Sequence, residues 1–106
     1  MPKGYVILTE AIHDQEGMDA YSAASYAPAV EHGAKILVVD TDVEVVEGEW
    51  HGNRTVVVEF ESVETARQWY RSDSYRAVLP LRLAASDCNV VICSGFVPQD
   101  PANELA

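Results

Sequence analysis

Four of the seven basic residues of this chain fall within TARQWYRSDSYRAVLPLR, residues 65–82, in the company of Trp69, Tyr70 and Tyr75. Guanidinium groups beside aromatic rings are suited to anion capture, since the planar fork matches a carboxylate and stacks on ring faces. On a helix beginning near Tyr75, residues Val78, Leu79 and Arg82 share one face, which puts Arg82 inside an apolar stripe. Arg67 and Arg71 fall instead on the polar side, with Glu64 spaced for a weak pair. An inward guanidinium needs compensation, because an unpaired buried charge is strongly destabilising. Arg82 could grip a carboxylate or enolate in a pocket between sheet and helices, with Tyr75 alongside. It could equally be fixed by a salt bridge to Glu59 or Glu10, or extend its stem to water.

The other chemistry-bearing residues each have two readings. Trp69 is either a wall for a flat ligand or plain core. Glu59 alternates with Thr55 and Val57, opposite Val56, Val58 and Phe60. If the even-numbered face meets the helices, Glu59 points into a dimer interior as a proton acceptor; otherwise it sits at a strand end in water. His51, beside Trp50 at a turn, is either an exposed loop histidine or a general acid or base reaching a partner's pocket. Asp40, Asp42 and Glu44 recur at alternate positions, yet the run lacks the glycine and later ligands of a calcium loop. Charge guarding an edge strand is the simpler reading. Cys88 and Cys93, on opposite faces of one strand, cannot bridge each other and form no metal pattern; they read as two reduced, mostly buried thiols. No nucleophile elbow or phosphate-binding glycine loop is present, and no cofactor or metal is expected.

The elements that must position these residues follow from periodicity. YVILTEA (5–11) reads as a strand. Asp14 caps a helix carrying Met18, Tyr21 and Ala24, with Pro28 as a kink or restart and Gly33 as the stop. AKILVVD (34–40) reads as a second strand, continued by VEVV (43–46) after a bulge at Thr41-Asp42, and EGEWHGN (47–53) as a hairpin turn. RTVVVEF (54–60) is the third strand. Ser62 caps a helix with a stripe of Val63, Ala66, Trp69 and Tyr70. After a break at Ser72-Asp73-Ser74, a further helix runs from about Tyr75 to Ser86-Asp87, with Pro80 inside it. CNVVICSGF (88–96) is the fourth strand. The order βαββαβ is a ferredoxin-like α+β arrangement, in which right-handed crossovers place strands one and three centrally and all helices on one face of a four-stranded antiparallel sheet.

With 106 residues the chain makes one domain, residues 1–97, followed by a polar, proline-bearing tail at 98–106. A formal charge of −10 repels phosphate backbones and anionic lipid, so nucleic acid and membrane partners are not expected. The start shows no secretory pattern, and the reading is cytoplasmic. The strands carry continuous apolar runs, VIL (6–8), ILVV (36–39), VVV (56–58) and VVI (90–92), where a half-wet antiparallel strand should alternate. Helices cover one face only. The other is expected to meet a second copy, sheet against sheet, in an isologous homodimer.

KGYVI, YAPAVEHGAKILV, the turn EGEW and RTVVVEFESVETARQWYRSDSYRAVLPLR together resemble the family known only as domain of unknown function 1330. The likeness spans about Lys3 to Phe96, and EF-S-x-E-x-A-x-x-WY-x-S-x-x-Y is its most specific part. The resemblance implies a ferredoxin-like subunit pairing into a dimeric α/β barrel, and it implies no activity. The wider superfamily includes cofactor-free monooxygenases, muconolactone isomerase and haem-binding members, whose chemistry reaches this chain only as analogy of fold. The expectation is therefore a homodimeric domain binding a small molecule of anionic character through Arg82, Tyr75, Glu59, His51 and Trp69. One rival is a cofactor-independent monooxygenase or isomerase of an enolisable or aromatic compound, with Arg82 stabilising negative charge and Glu59 or His51 moving a proton. The other is a structural module without a ligand.

Overall fold

A computed structural model describes residues 2–98. In chain order the elements are β1 (Gly4–Ile12), α1 (Gln15–Glu31), β2 (Lys35–Asp40), β3 (Arg54–Phe60), α2 (Val63–Arg71), α3 (Asp73–Ala85) and β4 (Ser86–Ser94). The tail beyond Pro98 lies outside the described residues.

Local chemistry sets most boundaries. The Asp14 carboxylate accepts from Gly17 N–H at the start of α1, and Ser62 Oγ accepts from Thr65 N–H at the start of α2. Ser72 ends α2 and begins α3 at once: its hydroxyl donates to Trp69 C=O and accepts from Tyr75 N–H. Pro28 lies in the last turns of α1 without breaking it, and its carbonyl accepts from His32 Nδ1 at 2.8 Å. Gly33, at φ 72°, then turns the chain out of the helix.

The sheet is antiparallel, in the order β2-β3-β1-β4, and is not closed into a barrel within the chain. Even-numbered residues of β1 face the helices, where Val6, Leu8, Val58 and Phe60 join Met18, Ala66, Trp69, Tyr75 and Leu79 in one core. The apolar runs resolve in register. Each strand turns one member of its run to the open face: Val38, Val57, Ile7 and Val91 stand side by side across all four strands. Thr55 and Thr9 border this row on one side, Glu59 and Tyr5 on the other.

Four expectations are corrected. Residues 43–46 form no strand; β2 stops at Asp40, and residues 41–53 are one long connection rather than a tight hairpin. The interruption falls at Leu37, not at Thr41-Asp42: Ile36 opposes Val58 while Val38 opposes Val57, so one extra residue is accommodated. That bulge lets the run ILVV place Ile36 and Val39 on the helix side and Val38 on the other. Cys93 is exposed and Cys88 only partly buried, so the thiols are not core residues. With β2 ending early, Asp42 and Glu44 are not strand residues. Asp40 instead accepts from Asp42 N–H in a local turn, and the described residues hold no metal-ligating cluster.

The 41–53 connection is seated on the end of β1. Asn53 bonds Ile12 through both backbone groups and donates its own N–H to Glu10 C=O, while Trp50 Nε1 donates to Thr55 Oγ1. Gly52 makes this possible, at φ 85° and with no room for a Cβ against the Glu10 carbonyl. Gly48, at φ 78°, has open space around it. Gly48→Ala should therefore cost about 1 kcal/mol, the left-handed backbone penalty alone. Gly52→Ala should cost clearly more in urea titrations. Equal losses would mean that the loop does not lie on β1.

Candidate functional site

Helix α1 lies mainly against α3, and a buried polar link joins the two. Tyr21 and Tyr75 share a hydrogen bond of 2.7 Å with their rings edge to face, and Arg82 Nε donates to the Tyr75 oxygen at 3.4 Å. Arg82 is 2% exposed, and its guanidinium carbon lies 6.0 Å from the Tyr21 ring centre. Neither expected salt bridge forms, and no carboxylate pairs with Arg82 among the described residues. Burial opposes its charge, but bonds to Tyr75 and Cys88 outweigh burial and hold its pKa above the ordinary arginine value. Burial, reinforced by Tyr75, also pushes the Tyr21 phenol well above the ordinary tyrosine value.

Because α1 leans on α3, a cleft of about 280 Å³ opens between α1 and the β2–β3 half of the sheet. Leu8, Val56 and Val58 form its floor, with Ile36 and Val39 along the β2 side. Tyr21, Tyr26 and Ala29 of α1 and the ring of Trp69 form the facing wall. Ser22 and Ser25 add hydroxyls on α1. At one place the lining turns ionic: Arg54 Nε donates to Glu10 Oε1 at 2.6 Å, with the Glu10 side chain 1% and that of Arg54 14% exposed. Glu10 and Arg54 are register partners on β1 and β3, so both point to the helix side.

The expected site residues do not gather at one place. Trp69, Tyr75 and Arg82 come together, with the Trp69 and Tyr75 rings 4.2 Å apart, but of these three only Trp69 lines the cleft. The Trp69 indole N–H is buried without an acceptor among the described residues. Glu59 lies on the opposite, open face, where it accepts the Tyr5 hydroxyl at 3.0 Å. His51 sits in the 41–53 connection, its Nε2 2.8 Å from the Asp87 carbonyl. A second, more polar cavity of about 350 Å³ lies within that connection, lined in part by Asp40, Asp42, Trp50 and Asn53. The remaining arginines of the basic stretch are surface groups: Arg67 pairs weakly with Glu64 at 3.5 Å, and Arg76 covers the Tyr70 ring.

The model of the family described as "Domain of unknown function (DUF1330)" matches residues 3–96. The chain belongs to the DUF1330 family. No curated protein matches it. Among solved structures, a protein of unknown function from Rhodopseudomonas palustris is similar with a TM-score of 0.76 at 17% identity, over 92% of this chain and 85% of that one. A dimeric protein of unknown function and ferredoxin-like fold from Bacteroides fragilis gives 0.59 at 13% identity, over 87% and 95%. SnoaB, a cofactor-independent oxygenase from Streptomyces nogalater, gives 0.63 at 10% identity, over 98% and 100%. At these identities the likeness is one of fold, and membership of DUF1330 names no activity.

The Glu10–Arg54 pair of this DUF1330 domain was missed as a pair, although its signal is periodic. Glu10 is in phase with Val6 and Leu8, and Arg54 with Val56, Val58 and Phe60. Each is a charge on the inward face of a strand.

Tyr75 is the shared partner of Tyr21 and Arg82. Tyr75→Phe should therefore cost about 1–3 kcal/mol, and Tyr21→Phe, which leaves Arg82 its acceptor, less. The reverse order in denaturant titrations would remove Tyr75 from the centre of the network. An unfolded tyrosine titrates near 10, whereas folded Tyr21 holds its proton well beyond that. The native state then binds more protons than the unfolded chain in strong base, and stability should fall as pH rises past about 10. Tyr21→Phe should flatten that fall; an unchanged slope would contradict the assignment.

Proposed function

We propose that this DUF1330 domain acts as a homodimer, and that each subunit binds a small, mainly apolar molecule in the cleft between α1 and the sheet. The observation that carries the reading is the cleft itself, whose walls are mainly apolar and aromatic and whose charged lining is the Glu10–Arg54 pair. Ligand sites have this composition, a greasy pocket with a few placed polar groups. Their volumes run from roughly 300 Å³ upward, so a ligand of one or two rings suits the space. Arg82 and Tyr75 hold α1 in place and shape the cleft without lining it. Pairing through the sheets is supported by the row Val38, Val57, Ile7 and Val91, with Val38 41% and Val91 53% exposed in the single chain. A sheet-on-sheet contact would bury that row.

A catalytic reading is favoured by the place of Glu10, a carboxylate in the lining of the cleft. On that reading the domain is a cofactor-independent oxygenase or isomerase, and Glu10 takes a proton from an enolisable substrate. Turnover without added cofactor, lost in Glu10→Gln, would establish it over simple binding.

A thermal-shift screen of small aromatic compounds should raise the melting temperature by several degrees at concentrations well above Kd. Ser25→Trp, which fills the cleft from α1, should abolish the shift. Persistence of the shift in that variant would place the ligand elsewhere, and no shift from any compound class would favour a module without a ligand. In sedimentation experiments the wild-type chain should run as a dimer at micromolar concentration and Val57→Lys as a monomer. A monomeric wild type would end the pairing proposal.

A further inference from the structure

Resting on the cleft as the binding site, we infer that its ligand is neutral and carries a hydroxyl or a similar group that both donates and accepts a hydrogen bond, rather than a carboxylate. Arg54, the arginine that lines the cleft, does not act there as an isolated cation. Glu10 is bonded to it at 2.6 Å, and both side chains belong to the lining. The two charges cancel where an anionic head would have to sit, and the formal charge of −10 on the whole chain works against an incoming anion.

Hydrogen-bonding capacity nevertheless remains. A guanidinium carries more N–H donors than one carboxylate can use, and a carboxylate has more lone-pair sites than one guanidinium edge can fill. Arg54 meets Glu10 through Nε, the inner nitrogen of the fork. A ligand hydroxyl set between them could accept from Arg54 and donate to Glu10, leaving the ion pair intact. A ligand carboxylate could only accept. It would draw Arg54 from Glu10 or leave a nearly fully buried carboxylate facing a second negative charge, either of which is costly. The apolar and aromatic remainder of the cleft, with Tyr26, Trp69 and Val56 among its walls, suits the flat body of such a molecule.

The test compares 2-naphthol with 2-naphthoate, which share a ring system but differ in charge at neutral pH, by calorimetric titration of the full-length protein. Wild type should bind the naphthol at least about tenfold more tightly. Glu10→Gln keeps the shape and removes the negative charge, so Arg54 becomes an unpaired cation and the preference should reverse towards the naphthoate. Equal or tighter binding of the naphthoate by wild type, lost in Ser25→Trp, would overturn the neutral-ligand inference while leaving the cleft as the site. Binding of neither probe would remove the cleft reading and this inference together. Should Glu10→Gln fail to fold, the wild-type preference decides alone.

Discussion

The hydrogen bond between Tyr21 and Tyr75, buried and 2.7 Å long, is the contact on which the rest of this molecule's form depends. It ties α1 to α3, and α3 is tied in turn to the base of β4 through Arg82, Ser86 and Cys88. A helix held in this way cannot also lie flat on β2 and β3. The helix-side face of β2 therefore stays uncovered, and Ile36 and Val39 remain half-exposed although they point to the helix side. The cleft is the space this leaves. Its position comes from helix docking, and its chemistry comes from whatever the strands place beneath it.

What the strands place there is an ion pair on an otherwise apolar floor. A buried pair of this kind contributes little net stability, since desolvation offsets much of the attraction. Replacing Glu10 and Arg54 by well-packed apolar residues would cost the fold little, so stability alone gives no reason for charge at this spot. Arg82 stands in contrast. It has no carboxylate partner among the described residues and is held by the Tyr75 phenol and the face of the Tyr21 ring. It serves as a structural cation, binding helix to strand, while Arg54 lines the cleft.

Much of this was legible in the residues. Strand order, helix caps at Asp14 and Ser62, the break at Ser72-Asp73-Ser74 and the inward turn of Arg82 follow from periodicity and capping chemistry. Continuous apolar runs pointed to a face needing cover, and the register now shows which residue of each run supplies that face. The illegible parts share one cause, dependence on contacts distant in sequence. VEVV has the composition of a strand, but residues 41–53 are drawn onto β1 by Asn53 and Trp50, which no local pattern reveals. The partner of Arg82 was sought among carboxylates because charge seeks charge. A tyrosine seven residues earlier on the same helix face, itself already noticed, was the answer. Glu59 lies on the open face of the sheet and His51 in the 41–53 connection, and neither reaches the cleft.

The proposed binding mode puts a small neutral aromatic molecule in the cleft beneath α1, with its hydroxyl on the Glu10–Arg54 pair. A crystal of the protein soaked with a brominated naphthol tests this directly, because bromine gives an unambiguous anomalous signal. The expected peak lies between Tyr26 and the Val56–Val58 floor, with the hydroxyl within hydrogen-bonding distance of Arg54 and Glu10. A peak on the open sheet face or inside the 41–53 connection, with the space beneath α1 still unfilled, would rule out binding in the cleft.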